Sequence, residues 1–219
     1  MKDKYRLNMD LSKPVCLRPE DQDWIKSPAD GVSRIYLERE AEESGHTSSF
    51  VKFEPDSFFP QHKHPQGEEI YVLQGVFSDE NGDYPAGTYI RNPPGSHHSP
   101  FTRQGCILFV KLDQFQQDDT LDLVLRPSDQ LWRPGIGNLK VLPLHSHKTQ
   151  STALVFWPKN EVFQTHTHWG GEEIVVINGT FIDEFGSYPA GSWIRSPHMS
   201  KHFPHVEEET LILVKVGHL

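Results

Sequence analysis

A long internal repeat restricts the fold of this sequence more than any other feature. Residues 59–112 align with residues 163–216 at a constant offset of 104, without a gap, and about 25 of the 54 aligned positions are identical. The segment Gly67-Glu68-Glu69-Ile70, for example, recurs as Gly171-Glu172-Glu173-Ile174. A period this long in only two copies is typical of duplicated domains and not of a solenoid.

Each repeat forms part of a unit of about a hundred residues, which is long enough to bury a core of its own. The polar stretch at residues 114–119 marks the boundary between the units. We therefore predict an N-terminal domain with a short N-terminal arm at residues 1–117, and a C-terminal domain at residues 118–219.

Local sequence patterns predict an all-β fold. Residues 49–53, 70–77 and 106–112 are short runs rich in β-branched and aromatic side chains, bounded by Gly, Pro, Asp or Asn. Residues 79–83 and 183–187 have the composition of hairpin turns, in which glycine supplies a positive φ. Such strands close into barrels or jelly rolls, which leave no long exposed edge.

A set of three histidines and one glutamate occurs in both repeats. His62 and His64 precede Glu68, and because alternate residues of a strand face the same side, the two histidines can point inward together. His98 follows Glu68 by 30 residues, with a hairpin between them that returns the chain alongside. The same spacing recurs in the second repeat, so the predicted metal ligands are His62, His64, Glu68, His98, His166, His168, Glu172 and His202.

Three imidazoles and one carboxylate suit Zn, Fe(II), Mn, Ni or Cu better than Ca or Mg. Four protein ligands can close a tetrahedral zinc site, or they can leave positions open on a five- or six-coordinate metal. The sequence leaves both alternatives open. It predicts a divalent transition metal, up to one in each domain.

Composition argues against several other classes of function. The net charge of −9 and the lack of a basic run disfavour nucleic-acid binding. No apolar stretch reaches the roughly 18 residues of a transmembrane helix, and no signal peptide is evident, so we expect a cytoplasmic protein that does not bind membranes. The two cysteines, Cys16 and Cys106, fit a reducing compartment. A nucleophile motif and a phosphate-binding loop are both missing from the sequence, which disfavours acyl and phosphoryl transfer.

These residues resemble the cupin superfamily. Its first motif, His-x-His followed by Glu and then Gly, is matched from His62 to Gly75 and again in the second repeat, although the leading glycine is absent. Its second motif, with Gly, Pro, Gly and His, is matched from Gly87 to His98. In the second repeat Met199 replaces the second of those glycines. The resemblance implies two tandem cupin barrels.

A narrower resemblance is to the ChrR-like cupins, carried by Gly67-Glu68-Glu69, the hairpin at residues 79–84 and the segment at residues 87–91. ChrR proteins are anti-sigma factors in which a zinc-binding helical domain precedes the cupin, so the resemblance implies zinc and a regulatory role. Only about twenty residues precede the first cupin here and no Cys-x-x-Cys occurs. We therefore expect no direct binding of a sigma factor, and we expect a homodimer.

The resemblance implies a ligand- or oxidant-sensing regulatory protein, and the alternative is an Fe(II) dioxygenase acting on a small diketone or hydroxy-aryl ketone. A third hypothesis is a structural zinc that only stabilises the barrel. A small-molecule ligand or substrate would need a pocket with apolar walls. Arg91 and Arg195 would hold an anionic substrate if their strand face is inward, and would be surface cations if it is outward. The candidate pocket residues are Phe59, Tyr71, Tyr89, Arg91, Phe163, Trp169, Trp193 and Arg195.

The second repeat keeps all four ligands but differs beside them. Trp169 replaces Pro65, and Met199 replaces Gly95. A tryptophan next to His168 is bulky enough to narrow the approach to the metal. Methionine at a glycine position of a turn should reshape the loop before His202. We therefore expect small molecules to reach the two sites unequally.

Overall fold

The computed structural model describes residues 5–42 and 44–219, and most of its regular structure is β-strand. Two 3₁₀ turns lie at Pro19–Asp21 and Pro127–Asp129, and no helix in the described ranges is long and apolar enough to span a membrane. The first eleven strands are β1 (Val15–Leu17), β2 (Ile25–Lys26), β3 (Val32–Arg39), β4 (Thr47–Phe53), β5 (His62–Lys63), β6 (Glu68–Asp79), β7 (Gly82–Pro85), β8 (Tyr89–Asn92), β9 (His97–His98), β10 (Cys106–Leu112) and β11 (Leu123–Leu125). The remaining ten are β12 (Arg133–Pro134), β13 (Lys140–His147), β14 (Gln150–Trp157), β15 (His166–Thr167), β16 (Glu172–Asn178), β17 (Thr180–Asp183), β18 (Gly186–Pro189), β19 (Trp193–Ser196), β20 (Lys201–His202) and β21 (Thr210–Val216).

The strands belong to two compact units. In the described chain the first unit comprises residues 5–9, 23–42 and 44–130, and the second comprises residues 10–22 and 131–219. This division differs from a single boundary between residues 117 and 118. The difference arises because β1 pairs with β19 and β11 pairs with β8, so each unit includes a strand that lies beyond its own repeat in the sequence.

The main sheets of the two units have matching strand orders. In the first unit the order is β11-β8-β6-β10-β4-β3-β2, and in the second it is β1-β19-β16-β21-β14-β13-β12, with antiparallel pairing throughout. Each unit also has a short two-stranded pair, β5-β9 in the first and β15-β20 in the second. The predicted hairpin turns are present between β6 and β7 and between β17 and β18.

One face of each main sheet forms an apolar core. The first core is made of Val32, Val51, Phe53, Ile70, Val72, Phe77, Tyr84, Ile90, Cys106, Leu108 and Val110. The second is made of Leu139, Trp157, Ile174, Val176, Phe181, Tyr188, Ile194, Val206 and Ile212. Because side chains alternate along a strand, the residues between these positions occupy the other face of the same sheet.

The loop before His202 keeps its shape despite Met199, contrary to the expectation from sequence. The Met199 amide donates to His168 O at 2.9 Å, and the Gly95 amide makes the equivalent bond to His64 O at 2.8 Å. Both residues have a positive φ, 65° at Met199 and 87° at Gly95. The backbone hydrogen bonds therefore outweigh the conformational preference of methionine, which here occupies a left-handed conformation that costs roughly 1–2 kcal/mol.

We expect Met199→Gly to stabilise the protein by about 0.5–1 kcal/mol, because glycine adopts this φ without strain but loses more entropy on folding. The reciprocal change Gly95→Met should destabilise by a similar amount, since a Cβ at Gly95 meets no atom within 4 Å and only the backbone strain remains. Thermal unfolding should shift by a few degrees in opposite directions for the two variants. Equal melting temperatures for both variants and the wild type would contradict this account.

Candidate metal sites

Short strands and a tight turn bring the four candidate ligands of the first unit together. His62 on β5 lies directly opposite His98 on β9 in the antiparallel pair. His64 follows two residues later, where its amide donates to Ser96 O at 2.9 Å, and Glu68 begins β6. The turn between them requires Gly67, which has a φ of 85° and packs so closely on Phe115 that a Cβ would lie 2.5 Å from that ring.

The side chains converge on one point. One ligand atom from each of the four residues lies within 4.8 Å of all the others. The imidazole rings of His62, His64 and His98 are 4.7–4.9 Å apart, centroid to centroid. A Glu68 carboxylate oxygen lies 3.3 Å from Nε2 of His64 and 3.4 Å from Nε2 of His98. This arrangement places three nitrogens and one carboxylate around a single small volume.

The Nδ1 atom of each imidazole faces a polar group on the side away from the site. Nδ1 of His62 donates to Pro60 O at 3.0 Å, and Nδ1 of His64 lies 3.0 Å from the Ser96 hydroxyl. Nδ1 of His98 faces an Asp79 carboxylate oxygen at 3.6 Å. Because a carbonyl can only accept, Nδ1 of His62 carries the proton, and Nε2 of His62 presents its lone pair to the site.

The second unit repeats this geometry. One ligand atom each from His166, His168, Glu172 and His202 again lies within 4.8 Å of the others. The supporting partners are equivalent as well: Gln164 O at 3.0 Å from Nδ1 of His166, the Ser200 hydroxyl at 3.1 Å from Nδ1 of His168, and Asp183 at 3.2 Å from Nδ1 of His202.

The two carboxylates are supported differently. The Asn92 amide donates to Glu68 Oε2 at 2.9 Å, whereas Ser196 occupies the equivalent position in the second repeat. Glu172 Oε2 is buried without a hydrogen-bond partner among the described residues. The first site therefore orients its carboxylate by a hydrogen bond that the second site lacks.

Burial keeps most of the histidines neutral. It is the largest influence on the pKa of His62, His64 and His166 and lowers all three, and it lowers the pKa of His168 to about 3. Burial also lowers the pKa of His98, but the Asp79 and Glu68 carboxylates outweigh it and the net pKa is raised. Neutral imidazoles are the form that binds metals.

Both clusters fit a divalent cation. Nε2 of His64, Nε2 of His168 and Glu172 Oε2 are buried polar atoms with no hydrogen-bond partner in the described chain, and each belongs to a candidate ligand. Such atoms are costly unless a partner satisfies them, and one cation in each cluster would satisfy those of its own site. A metal at either position would be held by three imidazole nitrogens and one carboxylate.

We expect the metal affinity of the second site to fall as the pH drops below about 7. Burial raises the pKa of Glu172 to about 7, so below that pH the carboxyl group must release a proton before it can coordinate. Each further unit of acid should weaken binding about tenfold, as for any ligand that competes with one proton. Competition with a chelator, in a protein whose first site has been removed, would measure this; an affinity independent of pH would contradict it.

A cavity of about 360 Å³ opens onto the first candidate metal site. Its lining includes all four candidate ligands. Its apolar wall comprises Val51, Phe53, Phe59, Ile70, Phe77, Leu108, Val110 and Leu112, and its polar wall includes Arg34, Tyr36, Ser49, Lys63 and Asp113. A cavity of this size with apolar walls and a few polar groups is typical of a small-molecule site.

The structure places only some of the predicted pocket residues beside the candidate sites. Phe59 lines the cavity and its ring lies 5.1 Å from that of His62. Phe163 makes the equivalent contact with His166 at 5.0 Å. Trp169 is 71% exposed, and its ring contacts His198 at 5.6 Å.

The other predicted pocket residues lie on the opposite sheet face. Tyr71 pairs with Tyr89 in register, and neither lines the cavity. Arg91 is buried and paired with Asp119 at 2.7 Å, so it is neither a surface cation nor a free anion-binding group.

In the second unit Trp193 donates to Glu173 at 2.7 Å, and Arg195 is fully buried and donates to Asp10 O at 3.2 Å. Strand alternation decides this outcome, because the candidate ligands Glu68 and Glu172 face the interior and these residues are out of phase with them.

Sequence reasoning missed the groups that orient the imidazoles. Asp79 and Asp183 were assigned only to hairpin turns, yet each also faces the last histidine of its site and accepts from a tyrosine hydroxyl, Tyr84 at 2.9 Å and Tyr188 at 3.0 Å. The sequence signal for this role is that aspartate occupies the same position in both repeats. Sequence reasoning also missed Arg34 as a residue that lines the cavity, because β3 lies upstream of the ungapped repeat.

The family model described as "ChrR Cupin-like domain" matches this chain twice, at residues 12–116 and 120–219. The chain belongs to the ChrR cupin-like family. Two copies of that domain are present, which confirms the predicted tandem cupins and the ChrR-like resemblance. No curated protein sequence matches the chain.

Solved structures with the same fold share little sequence with this ChrR-like bicupin. A candidate dioxygenase from Nostoc punctiforme PCC 73102 has a TM-score of 0.77 at 14% identity, over 94% of this chain and 82% of its own. A deletion mutant of Bacillus subtilis oxalate decarboxylase has a TM-score of 0.67 at 17% identity, over 92% and 76%. AerE from Microcystis aeruginosa has a TM-score of 0.67 at 15% identity, over 89% and 96%. These likenesses confirm the all-β cupin architecture.

Proposed function

We propose that this bicupin is a metal-dependent dioxygenase that acts on a small molecule in the cavity of its first unit. The observation that carries the proposal is that a cavity of about 360 Å³ includes all four candidate ligands in its wall. A purely structural metal would need no such access. The candidate dioxygenase from Nostoc punctiforme shares the fold, which is compatible with the proposal.

The residues of the first unit have distinct parts in this proposal. His62, His64, Glu68 and His98 would hold the metal, whose two remaining positions would coordinate a bidentate substrate and activate it for reaction with O₂. The apolar wall described above excludes water from the substrate. Small diketones and hydroxy-aryl ketones present two adjacent oxygen donors and are therefore the substrates we propose, with Fe(II) as the metal.

Oxygen uptake tests the proposal. Protein loaded with Fe(II) under anaerobic conditions is mixed with oxygenated buffer and a panel of small diketones and hydroxy-aryl ketones. We expect oxygen consumption that requires both metal and substrate and that stops in the double variant His62→Ala/His64→Ala. If the loaded protein binds these compounds but consumes no oxygen, the dioxygenase proposal fails.

A second candidate is a metal-dependent sensor in which the same cavity receives a signal molecule. Membership of the ChrR cupin-like family favours it. Ligand binding without turnover, together with a ligand-induced change in protease resistance, would support the sensor. Because direct binding of a sigma factor is not expected, recovery of such a complex by co-purification would require a different interpretation of the family resemblance.

A further inference from the structure

Arg34 projects from β3 into the first cavity, close to the candidate metal site. Its guanidinium carbon lies 5.3 Å from the centre of the Phe59 ring, and that ring in turn contacts His62 at 5.1 Å. A single aromatic ring therefore separates this cation from a candidate ligand.

The guanidinium of Arg34 makes no hydrogen bond or ion pair within the part of the chain that the structure describes, and its contact is with the face of Phe59. The cavity's other arginine differs, because Arg39 donates to the carbonyl oxygens of Ala41 and Glu42. Asp113 accepts from two backbone amides, those of Gly45 and Gln66. Arg34 thus leaves its guanidinium donors available to a molecule in the cavity.

In the second unit the residue equivalent to Arg34 is not a cation. Arg34 pairs with Val51 across β3 and β4, and Val141 pairs with Val155 across β13 and β14. Val51 and Val155 are equivalent at the repeat offset of 104, so Val141 stands where Arg34 stands in the first unit. A charged group that serves only barrel stability would be expected in both copies, whereas a ligand-specific group needs to be present in only one.

We propose that the molecule received by the first cavity carries a carboxylate in addition to its metal-chelating oxygens, and that Arg34 binds this carboxylate. The proposal deepens the proposed function, since it takes the cavity as the place where a small molecule meets the metal. The planar guanidinium matches a carboxylate through two parallel hydrogen bonds, and Phe59 supports its rear face. A spacer of a few carbons would separate the two ends of the ligand.

A matched pair of diketones tests this assignment. The probes are 4,6-dioxoheptanoate, which carries a carboxylate beyond its diketone, and its neutral methyl ester. Both are titrated calorimetrically into anaerobic Fe(II)-loaded full-length protein in which His166→Ala/His168→Ala removes the second site. We expect the acid to bind about tenfold to a hundredfold more tightly than the ester.

Replacing Arg34 should remove this preference. In Arg34→Val, which copies the second unit, the acid should bind as weakly as the ester, and binding of the ester should be unchanged. Arg34→Lys should retain part of the preference, and Arg103→Gln, an exposed arginine that does not line the cavity, should retain all of it. Metal content of each variant verifies that the site is intact.

The results separate this assignment from the proposed function. A lack of preference in the parent protein, or a preference that persists in Arg34→Val, overturns the role of Arg34 even if oxygen is consumed. Conversely, a preference that depends on Arg34 without oxygen consumption supports the carboxylate site and refutes the dioxygenase.

Discussion

Replacing both His62 and His64 by alanine should reduce the metal content from about two equivalents per chain to about one. The change removes two of the four atoms that converge on the first site, and the remaining pair, Glu68 and His98, cannot hold a divalent transition metal against dialysis. The second site lies in the other unit and should stay filled. Elemental analysis after loading and dialysis measures both values.

Two controls make this result specific. His97→Ala removes the histidine that precedes the candidate ligand His98 on β9. His97 is not itself a candidate ligand, so this variant should keep both metals in place. The mirror double variant His166→Ala/His168→Ala should also retain about one equivalent. Two equivalents in the His62/His64 variant would refute the ligand assignment, and loss of both metals would show that the sites are not independent.

Asp79→Asn should weaken metal binding at the first site by about tenfold to a hundredfold, the range found when the partner of a ligating histidine is removed. Asp79 Oδ2 faces Nδ1 of His98 at 3.6 Å, and an amide nitrogen in its place cannot accept that proton. The remaining oxygen can still accept from Asn81 N and the Tyr84 hydroxyl, as Oδ1 does now at 2.7 and 2.9 Å. The hairpin should therefore keep its shape.

Competition with a chelator measures the affinity, and a matched substitution in the same hairpin provides the control. Asp83 accepts from the Ser78 hydroxyl at 2.6 Å and touches none of the candidate ligands, so Asp83→Asn should leave metal affinity unchanged. Asp183→Asn should produce the same loss as Asp79→Asn, but at the second site. An equal loss in Asp83→Asn would mean that the hairpin as a whole, and not the contact with His98, sets the affinity.

The sequence by itself determined the all-β class, the two copies of the cupin domain and the identity of the eight residues that converge in the two sites. Each of these depends on spacing along the chain. The residue types and intervals of His62, His64, Glu68 and His98 recur intact in the second repeat, and strand periodicity is sufficient to place His62 and His64 on one side. An ungapped repeat therefore carried both the architecture and the candidate ligands.

Sequence reasoning could not assign strands that pair across long intervals of the chain. Leu17-Arg18-Pro19 and Leu125-Arg126-Pro127 are similar segments that end β1 and β11 and enter the two 3₁₀ turns. Each occurs near a domain end in the sequence, but which sheet each strand joins depends on hydrogen bonds to β19 or β8. A single domain boundary in the sequence cannot describe units that are each built from two separate segments of the chain.

Only the tertiary structure decided which side chains face the candidate metal and which groups orient the ligands. Register separates Glu68, which faces the interior, from Arg91, which is out of phase and pairs with Asp119. Asp79, at the end of β6, faces His98 on β9, and Arg34 comes from β3, which lies outside the ungapped repeat. Ligand spacing is local and can be read along the chain, whereas these contacts depend on strand register and sheet closure, which are set by packing across the whole domain.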